Sequence, residues 1–180
     1  LRLQGDIASR VVDAMEVKLV AEDRARTVAL PTTDPVAYDA YLRARAVTEW
    51  GANSRPLALD RAIPLYEEAV QRDPAFVDAW LGLAFASVLK VANGRTTDPA
   101  AVAKARERVE RLEGLAPGSS QALLARSSYA RSIERDYDAA RAALERGVRL
   151  EPSNHRFAGN LGLMLYQNLG RAEEAVTQFR

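Results

Sequence analysis

Few side chains in this sequence could perform catalysis or bind a metal ion. There is no cysteine and a single histidine, which excludes disulfides, thiolate nucleophiles and cysteine-ligated zinc or iron–sulfur centres. His155 follows the turn residues Pro152-Ser153-Asn154, and we interpret it as a surface residue because no second histidine could complete a metal site with it. Glycine-rich phosphate loops, nucleophile elbows and zinc-protease motifs are absent from the sequence. We therefore expect no catalytic site, no metal and no cofactor. A deep pocket with clustered, buried ionisable residues would favour the alternative, an enzyme.

The charges of the sequence are evenly balanced, which argues against nucleic acid as a partner. With 25 basic and 24 acidic side chains, no overall field attracts the chain to a polyanion. The charged run 106–113 alternates in sign, so that on a helix its opposite charges lie beside each other on successive turns. That pattern is typical of a solvated helix face.

The longest strongly apolar stretch, from Ala79 to Leu89, is shorter than the roughly 18 to 20 residues that a membrane-spanning helix needs. It predicts a buried core helix and no membrane insertion. Because the sequence has neither cysteine nor a signal-peptide pattern, we expect a cytoplasmic location. The sequence starts at Leu1 without a methionine and stops at Arg180 within a helical pattern, so we interpret it as a piece of a longer protein.

The elements that position these side chains are indicated by an internal repeat. A small residue is followed by a bulky one, then by another small or apolar one, and finally by proline. The copies are Ala62, Tyr66, Ala69, Pro74; Ala105, Val109, Leu112, Pro117; Ala140, Leu144, Gly147, Pro152; and an incomplete Ala175, Phe179. Successive copies begin 43, 35 and 35 residues apart. This period predicts stacked pairs of helices and almost no strand.

The physical role of the repeated residues is close packing. A small side chain in the second helix of a pair lets the first helix approach, and proline then ends the second helix. The first helices should supply a bulky and a small residue in turn, as Leu83-Ala84 and Leu161-Gly162 do. In the third copy the pair is Arg126-Ser127 if its helix begins at Ser120, or Ser127-Ser128 if the register shifts by one residue.

These residues and their spacing resemble the tetratricopeptide repeat family. The resemblance covers residues 34–180 and implies an all-α fold, a right-handed superhelical array of antiparallel helix pairs. The array spans residues 32–180, with repeats at about 34–74, 75–117, 118–152 and a truncated 153–180, after an amino-terminal helix and linker at 1–31. Extra residues around 51–56 and 93–99 depart from the family pattern and predict extended turns.

A second resemblance concerns the first forty-five residues or so. The phrases at 3–8, 31–38 and 41–45 are similar to a junction in bacterial signalling proteins, where a TolB-like segment precedes tetratricopeptide repeats. The attached effector in that group is an adenylyl cyclase, a serine/threonine kinase or a winged-helix regulator. The resemblance implies a regulatory parent protein of one of these three kinds.

In the family, the first helices line a concave groove through their second, fifth, ninth, twelfth and thirteenth positions. Carried onto this sequence, the resemblance implies the following protein-binding residues: Tyr38, Tyr41, Arg45, Asp78, Leu81, Phe85, Leu89, Leu124, Ser128, Arg131, Arg156, Leu163 and Tyr166. In the shifted register of the third copy, Ala125, Tyr129 and Ile133 replace its contributions. The ninth positions contain no asparagine, which disfavours the carboxylate-tail receptors of the family.

The expected function is therefore a non-catalytic scaffold that binds a peptide or protein segment in an apolar groove rimmed by arginines and an aspartate. The alternative is a self-association module, a homodimer that brings two effector domains together. Leu81, Phe85 and Leu89 would then be covered by a second copy or by the amino-terminal helix. Because the last repeat is truncated, we also expect Leu165, Val176 and Phe179 to be incompletely covered.

Overall fold

The computed structural model describes residues 31–49, 56–94, 96, 98–168 and 170–171, and within these ranges it consists of helices and turns without strand. The helices of the described residues are α1 (Pro35–Glu49), α2 (Pro56–Arg72), α3 (Val77–Ala92), α4 (Pro99–Leu115), α5 (Ser120–Tyr129), α6 (Tyr137–Leu150) and α7 (His155–Gln167). The all-α prediction is thus confirmed. The predicted amino-terminal helix, Val176 and Phe179 lie outside the described residues.

Helix starts and ends follow local chemistry. The side chains of Asp98, Ser119 and Asn154 each accept a hydrogen bond from a backbone N–H of the first turn that follows them. At the other end, α2, α4 and α6 stop two residues before Pro74, Pro117 and Pro152. These caps and prolines fix where the helices that they flank begin and end.

Each helix packs against the next in the chain, and the first helices of neighbouring pairs also contact one another, α1 with α3 and α3 with α5. The small residues of the repeated phrase lie at these contacts, since Ala62, Ala105 and Ala140 are fully buried. The bulky residues one turn later, Tyr66, Val109 and Leu144, belong to the same cores. The arrangement is an array of helical repeats.

Two glycines allow rings to pack directly on a helix backbone. A Cβ atom on Gly82 of α3 would lie 2.3 Å from ring atom Cε1 of Tyr66 in α2. A Cβ atom on Gly147 of α6 would lie 2.0 Å from Cε1 of Phe157 in α7. No larger residue fits at either position unless the ring moves. The two glycines therefore set how closely α2 approaches α3 and how closely α6 approaches α7.

The third pair departs from a regular helix. After α5 the chain forms a π-helical segment, Ala130–Glu134, which ends at Arg135 in the left-handed conformation with φ 59°. The start of α5 at Ser120, behind its cap Ser119, matches the start of α7 at His155, which corresponds to the first of the two predicted registers. A π turn accommodates an extra residue and rotates the chain beyond it, so the last predicted positions of this helix fall in irregular backbone.

Polar contacts join helices of different pairs. Arg108 of α4 donates from Nη1 to Ser87 Oγ of α3 at 2.5 Å and forms an ion pair with Glu67 of α2. Near the start of the array, Thr32 donates to a carboxylate oxygen of Asp73, and Arg72 pairs with Asp34 at 3.2 Å. The turn before α1 is therefore tied to the end of α2.

One expectation about the last pair is wrong. Leu165 is not incompletely covered, because only 2% of its surface is exposed and it belongs to the core formed by α3 to α7. The helical spacing of Phe157, Leu161, Met164 and Leu165 directs one face of α7 onto α6 and the neighbouring core. That packing buries Leu165, although the truncation of the last repeat had led us to expect this residue at an open end of the array.

Candidate functional site

A cavity with a volume of about 570 Å³ lies on the face where α1, α3 and the start of α7 come together. Its lining comes mainly from first helices, as the repeat architecture requires. The lining residues are Tyr41, Arg45, Thr48, Leu59, Tyr66, Asp78, Leu81, Gly82, Phe85, Ala86, Leu89, His155 and Arg156. We call this space, together with a smaller cavity that adjoins it at Phe85, the groove.

One wall of the groove is a cluster of aromatic rings that hold each other in place. The ring of Tyr41 lies 4.8 Å from that of Phe76, 6.2 Å from that of Tyr66 and 6.3 Å from that of Tyr38, centroid to centroid. The Tyr66 hydroxyl lies 3.3 Å from the Thr48 hydroxyl, within hydrogen-bond distance. Because Phe76 and Tyr66 are buried, this wall is anchored in the core of the first two pairs.

Charged groups lie over the rings. The guanidinium of Arg45 is 5.8 Å from the ring centroid of Tyr41, and that of Arg156 is 5.8 Å from the centroid of Phe85. Asp78 accepts a hydrogen bond from Gln121 Nε2 at 3.1 Å. This bond joins the start of α3 to the start of α5. Burial raises the pKa of the Tyr41 hydroxyl and the negative charge of Asp78 raises it further, while Arg45 opposes both effects.

A second, small cavity of about 20 Å³ adjoins the first at Phe85. It is lined by Phe85, Ser127, Ser128, Arg131, Leu144 and Asn160. Arg131 comes from the π segment, and desolvation by burial lowers the pKa of its guanidinium, with the phenolic group of Tyr137 acting in the opposite direction. Phe85 therefore lines both cavities, with Arg156 over its ring and Arg131 among the residues that line the smaller one.

The structure brings together most of the residues that the sequence resemblance assigned to the groove. Those that line the larger cavity are Tyr41, Arg45, Asp78, Leu81, Phe85, Leu89 and Arg156, and those of the small cavity are Phe85, Ser128 and Arg131. Tyr38 lies behind Tyr41 rather than in the cavity. Leu163 and Tyr166 lie outside both cavities on the surface of α7, with 39% and 64% of their areas exposed.

Leu124 needs a correction, because it packs in the core with 2% of its surface exposed and has no free face to offer a ligand. Ala125 and Tyr129, the candidates of the alternative register, are buried as well. The first helix of the third pair, α5, contacts α3, α4, α6 and the π segment, so it has neighbours on nearly every side. Its contribution to the groove comes instead from Ser128 and Arg131.

Other lining residues were not among the predicted ones. Tyr66 belongs to a second helix, and its ring reaches the cavity because Gly82 of α3 leaves room for it. The histidine assigned to the surface, His155, is exposed and lines the cavity edge beside Arg156. The bulky residue of the first repeat copy is Tyr66, and a glycine in the next helix is a sequence signal that could have pointed to it. Asn160 carries no such signal.

Within the described ranges, no group of three histidine, aspartate or glutamate side chains lies close enough to hold a metal ion. None of the helices described is long and apolar enough to span a membrane.

The fold defines a class of protein, an array of stacked helix pairs, and the groove lies between helices of this array. A family model described as Tetratricopeptide repeat matches residues 59–87 and 134–180, and this match supports the tetratricopeptide repeat family. The part between the matched segments, 88–133, contains α4, α5 and all but the last residue of the π segment. No curated protein matches the chain. Tetratricopeptide repeats generally mediate protein–protein interactions, which makes a protein the expected kind of partner.

Proposed function

We propose that this chain is a non-catalytic scaffold that binds a segment of a partner protein in the groove around Phe85. The observation that carries the proposal is the combination of an anchored aromatic wall, a half-buried phenylalanine and arginines over the rings in one cavity. Aromatic and arginine side chains in a concave site are the groups that contribute most to protein–protein affinity. A cavity of this kind suits an amphipathic helix or an extended segment.

The proposal is tested by selecting binders from a random peptide library and measuring their affinity by fluorescence anisotropy. We expect Phe85→Ala to weaken the selected peptides strongly, because the ring lies in the middle of the groove. Leu42→Ser is the matched control, since Leu42 is an exposed apolar residue outside both cavities. Circular dichroism establishes that the Phe85 variant is folded, and a second variant, Arg156→Ala, covers the case in which it is not. If neither groove variant changes binding, the groove is not the site.

The second candidate function is self-association, which is favoured by the apolar residues exposed on the last two helices. Leu150, Leu163 and Tyr166 are all exposed there. A second copy of the chain could cover them and bring two attached effector domains together. Sedimentation velocity decides between the two functions, because a strict monomer at high protein concentration removes self-association and a stable dimer supports it.

We further propose that the scaffold is the regulatory part of a larger bacterial signalling protein. Its support is the resemblance of residues 3–8, 31–38 and 41–45 to the junction between a TolB-like segment and tetratricopeptide repeats. The coding sequence upstream of Leu1 tests this directly. A cyclase, kinase or winged-helix domain there would support the proposal, and an unrelated domain would contradict it.

A further inference from the structure

Two arginines beside Phe85 have no carboxylate partner in the part of the chain that the structure describes. Neither Arg131, which is partly buried, nor Arg156, which is exposed, forms any of the ion pairs found among these residues, whereas the partly buried Arg108 and Arg126 each pair with a glutamate. Guanidinium groups stay charged in proteins, so both cations remain at Phe85. A partly desolvated cation without a counterion is costly, and a carboxylate that binds it relieves that cost.

We propose that the groove selects an acidic segment, in which one glutamate or aspartate side chain binds Arg131, a second binds Arg156, and an apolar side chain packs on Phe85. This inference rests on the proposed function and states the chemistry of its ligand. Arg131 is the stronger anchor of the two, because it lies in the small cavity, more withdrawn from water than Arg156 at the exposed start of α7. Arginine also matches a carboxylate with two parallel hydrogen bonds, which adds directional selectivity.

The charges that line the groove agree with an acidic ligand. Arg131 and Arg156 line it together with Arg45, and Asp78 is the one acid among the described residues that line the two cavities. The Asp78 carboxylate already accepts a hydrogen bond from Gln121, so it is engaged within the protein. A basic segment would meet Arg131 and Arg156 at close range and is disfavoured, because like charges brought together at an interface oppose binding.

The α7 face indicates that the segment passes through the groove rather than ending in it. Arg156, Asn160, Leu163 and Tyr166 follow one another at helical spacing on α7, from the larger cavity past the small one to exposed apolar surface. A ligand that binds the arginines therefore meets Leu163 and Tyr166 next. We infer that side-chain carboxylates of an internal, amphipathic acidic segment are recognised, and not the terminal carboxylate of a chain.

The experiment uses the whole chain and a random peptide library in which the carboxyl end of each peptide is fused to its carrier, so that no free terminal carboxylate is offered. We expect the selected peptides to be enriched in glutamate and aspartate beside aromatic or aliphatic residues. Synthetic, carboxyl-amidated copies of the winners are then compared with copies in which every acid is replaced by its amide. The amide copies should bind about thirtyfold more weakly or worse, as for the loss of one partner of a buried charge pair.

Variants of the protein locate the effect. Arg131→Gln should weaken the acidic peptides by about thirtyfold while binding the amide copies as the unchanged protein does. Arg131→Lys should restore part of the loss. Arg149→Gln is the matched control, because Arg149 is exposed on α6 and lines neither cavity. The melting temperature of Arg131→Gln should not fall, since no described carboxylate loses a partner, and this separates a binding role from a structural one.

The outcomes distinguish this inference from the function on which it rests. Selection of neutral or basic peptides that still depend on Phe85 would leave the groove as a binding site and overturn its acidic preference. Equal affinity of acidic and amide copies would do the same. If acidic peptides bind but Arg131→Gln and Arg149→Gln weaken them alike, the contact is a general surface attraction and the assignment to Arg131 is wrong. Failure to select any peptide that depends on Phe85 or Arg156 would overturn the proposed function itself.

Discussion

Gly147 of α6 lies so close to the ring of Phe157 in α7 that a Cβ atom on the glycine would be 2.0 Å from ring atom Cε1. We expect Gly147→Ala to lower the free energy of unfolding by about 1 to 3 kcal/mol, because the fully buried ring has to move within a packed core. Urea denaturation followed by circular dichroism measures the change.

The control for this substitution is Gly159→Ala in α7. Nothing lies within 4 Å of the Cβ position at Gly159, so the new methyl group meets no neighbour. Alanine should then raise the free energy of unfolding by up to about 1 kcal/mol, because it favours a helix interior over glycine. Equal stability of the two alanine variants would mean that the ring contact does not limit the packing.

The alanines of the repeated phrase provide a second test. Ala105 and Ala140 are fully buried where second helices meet first helices, and leucine at either position should cost about 1 to 3 kcal/mol through overpacking. Ala142→Leu in the same helix as Ala140 is the control, since Ala142 is exposed. Thermal melting of the variants is the measurement. Unchanged melting of both buried variants would show that the repeat has been placed incorrectly.

Arg108 joins three helices, and its removal should be felt across two repeats. It pairs with Glu67 of α2 and donates to the buried Ser87 of α3. We expect Arg108→Ala to lower the free energy of unfolding by about 1 to 3 kcal/mol, because Glu67 and Ser87 both lose a charged partner. The pair of Arg43 with Asp39 is well exposed, so Arg43→Ala should change stability by less than about 0.5 kcal/mol. Chemical denaturation that ranks the two variants in the opposite order would contradict this view of the contact.

Asp34 caps α1 and makes the stability of the fold depend on pH. Its carboxylate accepts backbone hydrogen bonds from Ala37 and Val36 and pairs with Arg72, and these contacts lower its pKa against the opposing effect of burial. A pKa lowered in the folded state contributes stability above the unfolded value of about 4, and the contribution is lost as the pH falls through the folded pKa.

The comparison that measures this contribution is Asp34→Asn, which keeps a capping side chain but cannot ionise. The unchanged protein should exceed the variant in stability at neutral pH, and the difference should shrink as the pH falls toward about 3. Unfolding by urea at several pH values gives the curve. A difference that stays constant with pH would mean that the cap acts through its shape and not through its charge.

Much of the architecture could be predicted from the sequence because the repeat encodes close packing. The phrase alanines, the ring of Tyr66 and the prolines after α2, α4 and α6 act locally, through size and backbone restriction, and such effects are visible in a single sequence. Six of the cavity residues of α1 and α3 were likewise assigned from the positions that repeat helices present to their concave side: Tyr41, Arg45, Asp78, Leu81, Phe85 and Leu89.

The remainder depended on packing that spacing alone does not specify. Leu124 was assigned to the groove from its position, but its helix has neighbours on nearly every side and the residue is buried. Leu165 was expected to be exposed at an open end, yet α7 turns this residue into the core. The entry of Tyr66 into the cavity depends on a contact with Gly82 in another helix, and the repeated phrase does not itself contain that glycine.

The π segment at Ala130–Glu134 has a consequence for the way a ligand would be recognised. Successive units of a regular array are equivalent, so a bound chain could slide from one unit to the next or lie in either direction. An extra residue in a single helical turn alters one unit while leaving the flanking helices in place. Among the described helices, α5 alone continues into such a turn, so the groove acquires one distinguishable point at Arg131. That point gives an otherwise periodic surface both an origin and an orientation.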